Sequence, residues 1–169
     1  MRDCLKKIIM EKALKKNNYD AVNYSGDCNS KFIVFLDVDG VLNCISTKDK
    51  ICGCSGIDDN KLALLKEIVD IFNAEIVLIS TWKEGWHKER KTSQDIFADT
   101  LDKRLEKYGL FITSKTHDNG RDRGSGILEW ISDHSPGITG FIILDDERFD
   151  YSELHLTRHW VQTSYFKQN

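Results

Sequence analysis

The strongest constraint on this chain is a set of short, continuous apolar runs that stop abruptly at polar residues. Lys31–Leu36 (KFIVFL) leads straight into Asp37-Val38-Asp39-Gly40. Residues 75–80 (EIVLIS) lead into Thr81-Trp82-Lys83, and residues 140–145 (GFIILD) end on Asp145 with Asp146 next. Such runs, rich in β-formers and without polar alternation, read as strands covered on both faces, as in a parallel sheet. Shorter strands are expected at 110–113 (LFIT) and near 159–163 (HWVQT).

Helical patterns separate these strands. Asp58 or Asp59 can cap a helix running to about Asn73, with Leu62, Leu65, Ile68, Val69 and Phe72 inward. A second helix, roughly 93–108, places Ile96, Phe97, Leu101 and Leu105 on one face and stops at Gly109. A third, 125–134, has Ile127, Leu128, Trp130 and Ile131 as its apolar positions, and residues 44–56 read as a small loop-like insert. The order β-α-β-α-β-α-β-β predicts a three-layer α/β/α, Rossmann-like sandwich around a mainly parallel sheet. Upstream, residues 4–16 have the spacing of a basic amphipathic helix and 17–30 of a polar connector. The predicted division is therefore 1–30, helix and connector, and 31–169, the domain.

Composition narrows the class. The chain has 169 residues, 40% hydrophobic and 30% charged, enough for one domain with a core. A net charge of −3 gives no global drive toward nucleic acid, though a local basic patch is compatible with it. No apolar stretch approaches a membrane span, and no signal-peptide pattern opens the chain. The five cysteines, an odd number, read as reduced thiols of a cytoplasmic protein. Cys44, Cys52 and Cys54 cluster without the paired spacing of common zinc sites, and His155 and His159 lack a third ligand.

In open parallel sheets, ligands bind beyond the carboxyl ends of the strands. Asp37 and Asp39 follow the first strand, Ser80 and Thr81 the second, and Asp145 and Asp146 the fourth. Carboxylates brought together there repel unless a cation lies among them. A hard divalent ion suits an all-oxygen set, and Mg suits one that keeps room for water and phosphate. Such an ion screens the approach of a phosphate to a carboxylate nucleophile, a role Asp is known to fill. Gly40 permits a sharp turn after the acids.

At these residues the sequence resembles the haloacid dehalogenase (HAD) superfamily. FIVFLDVDGVLN (Phe32–Asn43) is similar to its first motif, IVLIS (Ile76–Ser80) to the second and IILDD (Ile142–Asp146) to the fourth. The likeness is closest to the HAD domain of the Swiss Army Knife RNA-repair type. It rests on Ser80-Thr81-Trp82-Lys83, on the helix start Arg123-Gly124-Ser125-Gly126-Ile127-Leu128-Glu129-Trp130, and on Val161-Gln162-Thr163. The resemblance implies a Mg-dependent phosphomonoester hydrolase with an aspartyl-phosphate intermediate. It implies Asp37 as nucleophile, Asp39 as general acid and then base, and Ser80, Thr81, Lys83 and Arg123 as phosphate ligands. Lys115 competes with Arg123 for the third motif. Asp37, Asp39 (through its carbonyl), Asp145 and Asp146 form the implied metal set, with the order of the last two open.

The 44–56 insert is too short for a separate cap domain and the 84–110 segment reads as one helix rather than a domain, so minimal or no cap is expected. An open site suits a bulky phosphorylated substrate: a small nucleotide, a nucleic-acid end or a phosphoprotein. Trp82 and Trp86 either stack on a base or pack internally. His87, Lys88, Arg90 and Lys91 form either a basic rim or a solvated face. Alternatives are a phosphotransferase of the same fold and a non-catalytic phosphate- or Mg-binding regulatory module. Receiver domains place their acid pair on the first strand, the reverse of the order here. No membrane contact is expected, and no protein partner is inferable.

Overall fold

The computed structural model describes residues 31–89, 95–117 and 122–166. The helix expected at 4–16, its connector, and Arg90 and Lys91 lie outside these. In chain order the elements are β1 (Lys31–Leu36), β2 (Lys50–Ile51), β3 (Cys54–Ser55), α1 (Asp59–Phe72), β4 (Ala74–Leu78), a 3-10 turn (Thr81–Lys83), α2 (Ile96–Glu106), β5 (Ile112–Lys115), α3 (Arg123–His134), β6 (Ile138–Asp145) and β7 (Trp160–Gln162).

β1, β4, β5, β6 and β7 form a parallel sheet in the order β5-β4-β1-β6-β7. The expected Rossmann-like three-layer architecture is the one observed. Side-chain alternation on β1 explains the layers. Val34 and Leu36 join Leu62, Leu65 and Ile68 of α1 and Ala98, Leu101 and Leu105 of α2 in one cluster. Ile33 and Phe35 join Ile127 and Trp130 of α3, Tyr151 and Trp160 in the other. Both faces are covered, which is why β1 carries no polar residue after Lys31. Each fully buried aliphatic side chain contributes about 1.5–3 kcal/mol.

The chain leaves β1 toward β4 and β5 on one side, then returns to β6 and β7 on the other. That reversal is the topological switch at which such sheets open a crevice. Leu36 is level with Leu78 of β4 and Leu144 of β6, so the strands finish together. Asp37 and Asp145 therefore emerge side by side.

α1 starts where its cap predicts: the Asp58 side chain accepts from Asn60 N–H, and Asn73 ends it in the left-handed region. Several expectations are corrected. The 44–56 insert is not a plain loop but contains the antiparallel β2–β3 pair. Its turn residues Cys52 (φ 50°) and Gly53 (φ 85°) both take the positive φ that two-residue hairpins use. Ile96 and Leu128 are exposed rather than inward. At 3.6 residues per turn, Ala98-Leu101-Leu105 and Ile127-Trp130 define faces that put Ile96 and Leu128 on the far sides. The strand expected at 110–113 is shifted to Ile112–Lys115, leaving Phe111 exposed. No described helix is long and apolar enough to cross a membrane.

Candidate active site

The ends of β1 and β6 bring three carboxylates together. One oxygen from each of Asp37, Asp145 and Asp146 lies within 4.8 Å of the others. Asp37 and Asp145 are buried and Asp146 is half-buried. Arg123, the first residue of α3, reaches two of them: Nη1 lies 2.6 Å from Asp145 Oδ2 and 3.2 Å from Asp37 Oδ1. Its guanidinium sits 4.0 Å from the Phe149 ring centroid, a cation–π contact. Arg123 Nε is buried with no partner among the described residues.

These contacts set the charge states. Burial and then the neighbouring Asp145 push Asp37 up to about 7, against the pull of Arg123 and of hydrogen bonds from Ser80 and from the Val38 backbone. Burial, then Asp145 and Glu147, raise Asp146. Burial disfavours the Arg123 charge, but Asp145 and Asp37 outweigh it and hold the guanidinium above its ordinary value. Three carboxylates against one guanidinium leave a negative excess. An all-carboxylate set with that excess fits a hard divalent cation, Mg among them. Gly40 supports the fit: at φ 73°, a Cβ there would overlap the Asp146 carboxyl group.

Asp145 is the most constrained acid. Its Oδ2 also accepts from Tyr151 OH (2.7 Å), and its Oδ1 from Glu147 N–H (3.0 Å). Trp160 Nε1 donates to its carbonyl at 3.0 Å. Burial and then Asp145 raise the Tyr151 phenol, keeping it a neutral donor. Arg123 is itself positioned from a distance. Asp122 makes no side-chain cap bond to α3; instead the Asp150 carboxylate accepts from Gly124 N–H (2.6 Å), Ser125 N–H (3.0 Å) and Ser125 Oγ (3.1 Å). A carboxylate at a helix N-terminus satisfies donors that otherwise lack partners.

The Asp39 carboxylate is not part of the three-acid cluster. Its oxygens accept from Trp82 Nε1 (3.0 Å) and Asn43 Nδ2 (2.8 Å). Asn43 also accepts from Gly40 N–H at 3.0 Å, which ties the turn together. Ser80 is buried beside Asp37, whereas Thr81 is exposed. Lys83 is buried, and its Nζ donates to Thr116 Oγ1 at 3.2 Å. Lys115 turns away from the acids, donating to the carbonyls of Lys83 (2.8 Å) and Trp86 (2.7 Å). Of the two competitors for the acids, Arg123 is the one in contact.

Trp82 and Trp86 are buried, their indole N–H groups occupied by Asp39 and Asp102. They are packing residues, which corrects the stacking alternative. His87 and Lys88 are exposed. Cys44 is a buried free thiol, and Cys52 and Cys54 are exposed free thiols. His159 stacks on Phe141, and its Nδ1 pairs with the Phe141 carbonyl. Sequence reasoning did not single out Tyr151, Phe149 or Asn43. A tyrosine or phenylalanine soon after an Asp-Asp strand end was the available signal for the first two.

Comparison with protein families matches residues 33–167 to the HAD domain in Swiss Army Knife RNA repair proteins. No curated protein matches the chain. HAD domains belong to a superfamily of hydrolases and phosphatases, so the match suggests a phosphoesterase-type function. The motif order, the parallel sheet and the match over 33–167 agree, and the chain belongs to the HAD domain family of Swiss Army Knife RNA repair proteins.

Proposed function

We propose that this protein is a Mg-dependent phosphomonoester hydrolase that works through an aspartyl-phosphate on Asp37. The observation that carries the reading is the meeting of Asp37, Asp145 and Asp146 at the ends of β1 and β6, with Arg123 bridging two of them. Asp37 attacks phosphorus, the ester oxygen leaves, and water then cleaves the acyl phosphate. Asp39, held by Trp82 and Asn43, protonates the leaving oxygen and then takes a proton from the water. Ser80, Thr81, Lys83 and Arg123 serve the phosphate, with Arg123 fixed by Asp145. Asp37, Asp146 and the Asp39 carbonyl would hold Mg. Asp145, with both oxygens already hydrogen-bonded, stands behind them. Bound Mg would supply charge that keeps Asp37 ionised and screens the incoming anion.

The substrate class we favour is a nucleotide or a nucleic-acid end, in line with the family description and with the absence of a cap domain among the described residues. Hydrolysis of an aryl phosphate, with and without Mg, tests the chemistry. Activity should require Mg and vanish in Asp37→Asn; turnover surviving that substitution refutes the nucleophile. Comparing a 5′-mononucleotide with a 3′-phosphorylated oligonucleotide tests the substrate class. Phosphate binding without turnover on any ester would favour the regulatory-module reading instead.

A further inference from the structure

The chain beyond β7 runs past Asp145 and Asp146. Thr163 N–H donates to the Asp145 carbonyl at 3.0 Å, and Gln162 Nε2 to the Asp146 carbonyl at 3.4 Å. Two residues after Thr163, the Tyr165 carbonyl accepts from Ile45 N–H at 2.9 Å, in the loop that follows Asp37 and Asp39. The Tyr165 N–H faces the Asp146 carboxylate. Its phenol pairs with Ser55 Oγ of the hairpin at 2.8 Å, and Lys50 Nζ donates to the same hydroxyl at 3.4 Å. Residues 163–166 thus join the end of β6, the loop after β1 and the hairpin. None of them has a part in the chemistry above.

This strap carries the most exposed large apolar side chain among the described residues. Phe166 is 77% exposed, with its ring edge-on to Tyr165 (centroids 5.4 Å, 85°), and Ile45 beside them is 56% exposed. A scattered exposed side chain is ordinary, but this one adjoins a charged rim. The hairpin insert presents Lys48 and Lys50 to solvent. Its one acid, Asp49, is half-exposed and accepts from Ile57 N–H at 3.1 Å, with Arg104 3.8 Å away. In a chain of net charge −3, an exposed aromatic ring beside the exposed Lys48 and Lys50 is complementary to a base followed by a phosphate.

We propose that Phe166, Tyr165 and Lys50 form a shelf for the terminal base and adjoining internucleotide phosphate of a single-stranded nucleic-acid end whose phosphomonoester lies at Asp37. The proposal rests on the phosphohydrolase reading for the position of that phosphomonoester. An exposed ring stacks on the face of any base, and a lysine meets a backbone phosphate as a point charge. A phosphopeptide would bring the phosphate but no base to fill the aromatic face. Trp82 and Trp86 cannot substitute, because both are buried.

Fluorescence anisotropy tests this, using the full chain with Asp37→Asn, Mg, and single strands phosphorylated at the 5′ or 3′ end. The terminal residue of each strand either carries a base or is abasic. Adding Phe166→Ala should weaken binding of the base-bearing end roughly tenfold and of the abasic end less than about twofold. Phe166→Trp should restore binding. Lys50→Ala should reduce the slope of log K against log salt by about 0.7, the loss of one single-strand phosphate contact. Equal binding of the Phe166→Ala protein, no preference for the base-bearing end, no oligonucleotide binding, or tighter binding of a phosphoserine peptide would each overturn the shelf. Turnover of glycerol phosphate by the unsubstituted protein separates the two readings. Turnover with base-independent binding removes the shelf and leaves the phosphatase. Base-dependent binding without turnover of any phosphoester leaves the shelf and removes the phosphatase.

Discussion

Replacing Asp37 by asparagine should make the metal-free protein more stable, and the gain should grow with pH. Asp37 is 4% exposed, and its carboxyl is pushed from 3.8 to about 7, by burial first and Asp145 second. A folded-state value above the unfolded one means that the native state holds the proton more tightly. The group's stabilising contribution is then fullest below about 4 and is lost as pH rises through about 7. Relative to a neutral isostere, the linkage penalty is about 2 kcal/mol at pH 5 and about 4 kcal/mol at pH 8, levelling off above that. Asparagine carries no such penalty, and its amide oxygen can still accept from Arg123. For a domain of this size the gap at pH 8 corresponds to a rise of roughly 8–16 °C in Tm. Thermal and urea unfolding in EDTA at pH 5 and pH 8 measure it. Saturating Mg should stabilise the native sequence at pH 8 and close most of the gap, because a bound cation favours the ionised carboxylate. An Asp37→Asn protein less stable than its parent in EDTA at pH 8, or a gap that ignores pH, would refute the reasoning.

Three other substitutions probe the same cluster. Arg123→Met leaves buried Asp37 and Asp145 facing each other without their cation, and should cost about 3–5 kcal/mol in urea unfolding without Mg at pH 8, with partial recovery on adding Mg. Tyr151→Phe removes a 2.7 Å donor from buried Asp145 and should cost about 1–3 kcal/mol in the same assay; an unchanged midpoint would mean the carboxylate does not depend on it. Gly40→Ala places a Cβ where the Asp146 carboxyl lies, at a φ of 73°. It should cost about 1–2 kcal/mol from backbone strain alone. Calorimetric Mg titration should show weaker binding, and unchanged Mg affinity would separate Gly40 from the metal site.

Much of the fold was legible because its signals are local. The apolar run at β1, the Asp58 cap and the left-handed stop at Asn73 follow from side-chain chemistry within a few residues. Faces were less legible where an apolar residue sat off the stripe. Ile96 and Leu128 look inward by composition, but helical phase places them outward. The hairpin at 50–55 is not legible in the sequence, because its two-residue strands are too short to show alternation and its turn uses Cys52 at positive φ.

By itself, the sequence determined which residue types stand at the strand ends: acids after β1 and β6, a serine after β4, and an arginine at the start of α3. Strand ends are written in consecutive residues, so a reader of the chain meets them directly. Only the tertiary structure decided which of those groups touch. It put Arg123 rather than Lys115 on the acids, surrounded Asp145 with donors, held Arg123 through Asp150, and turned Trp82 and Trp86 inward. Each of those outcomes depends on which atom wins a contact between distant segments, and that is set by register at the sheet edge and by helix phase, neither of which a local pattern encodes.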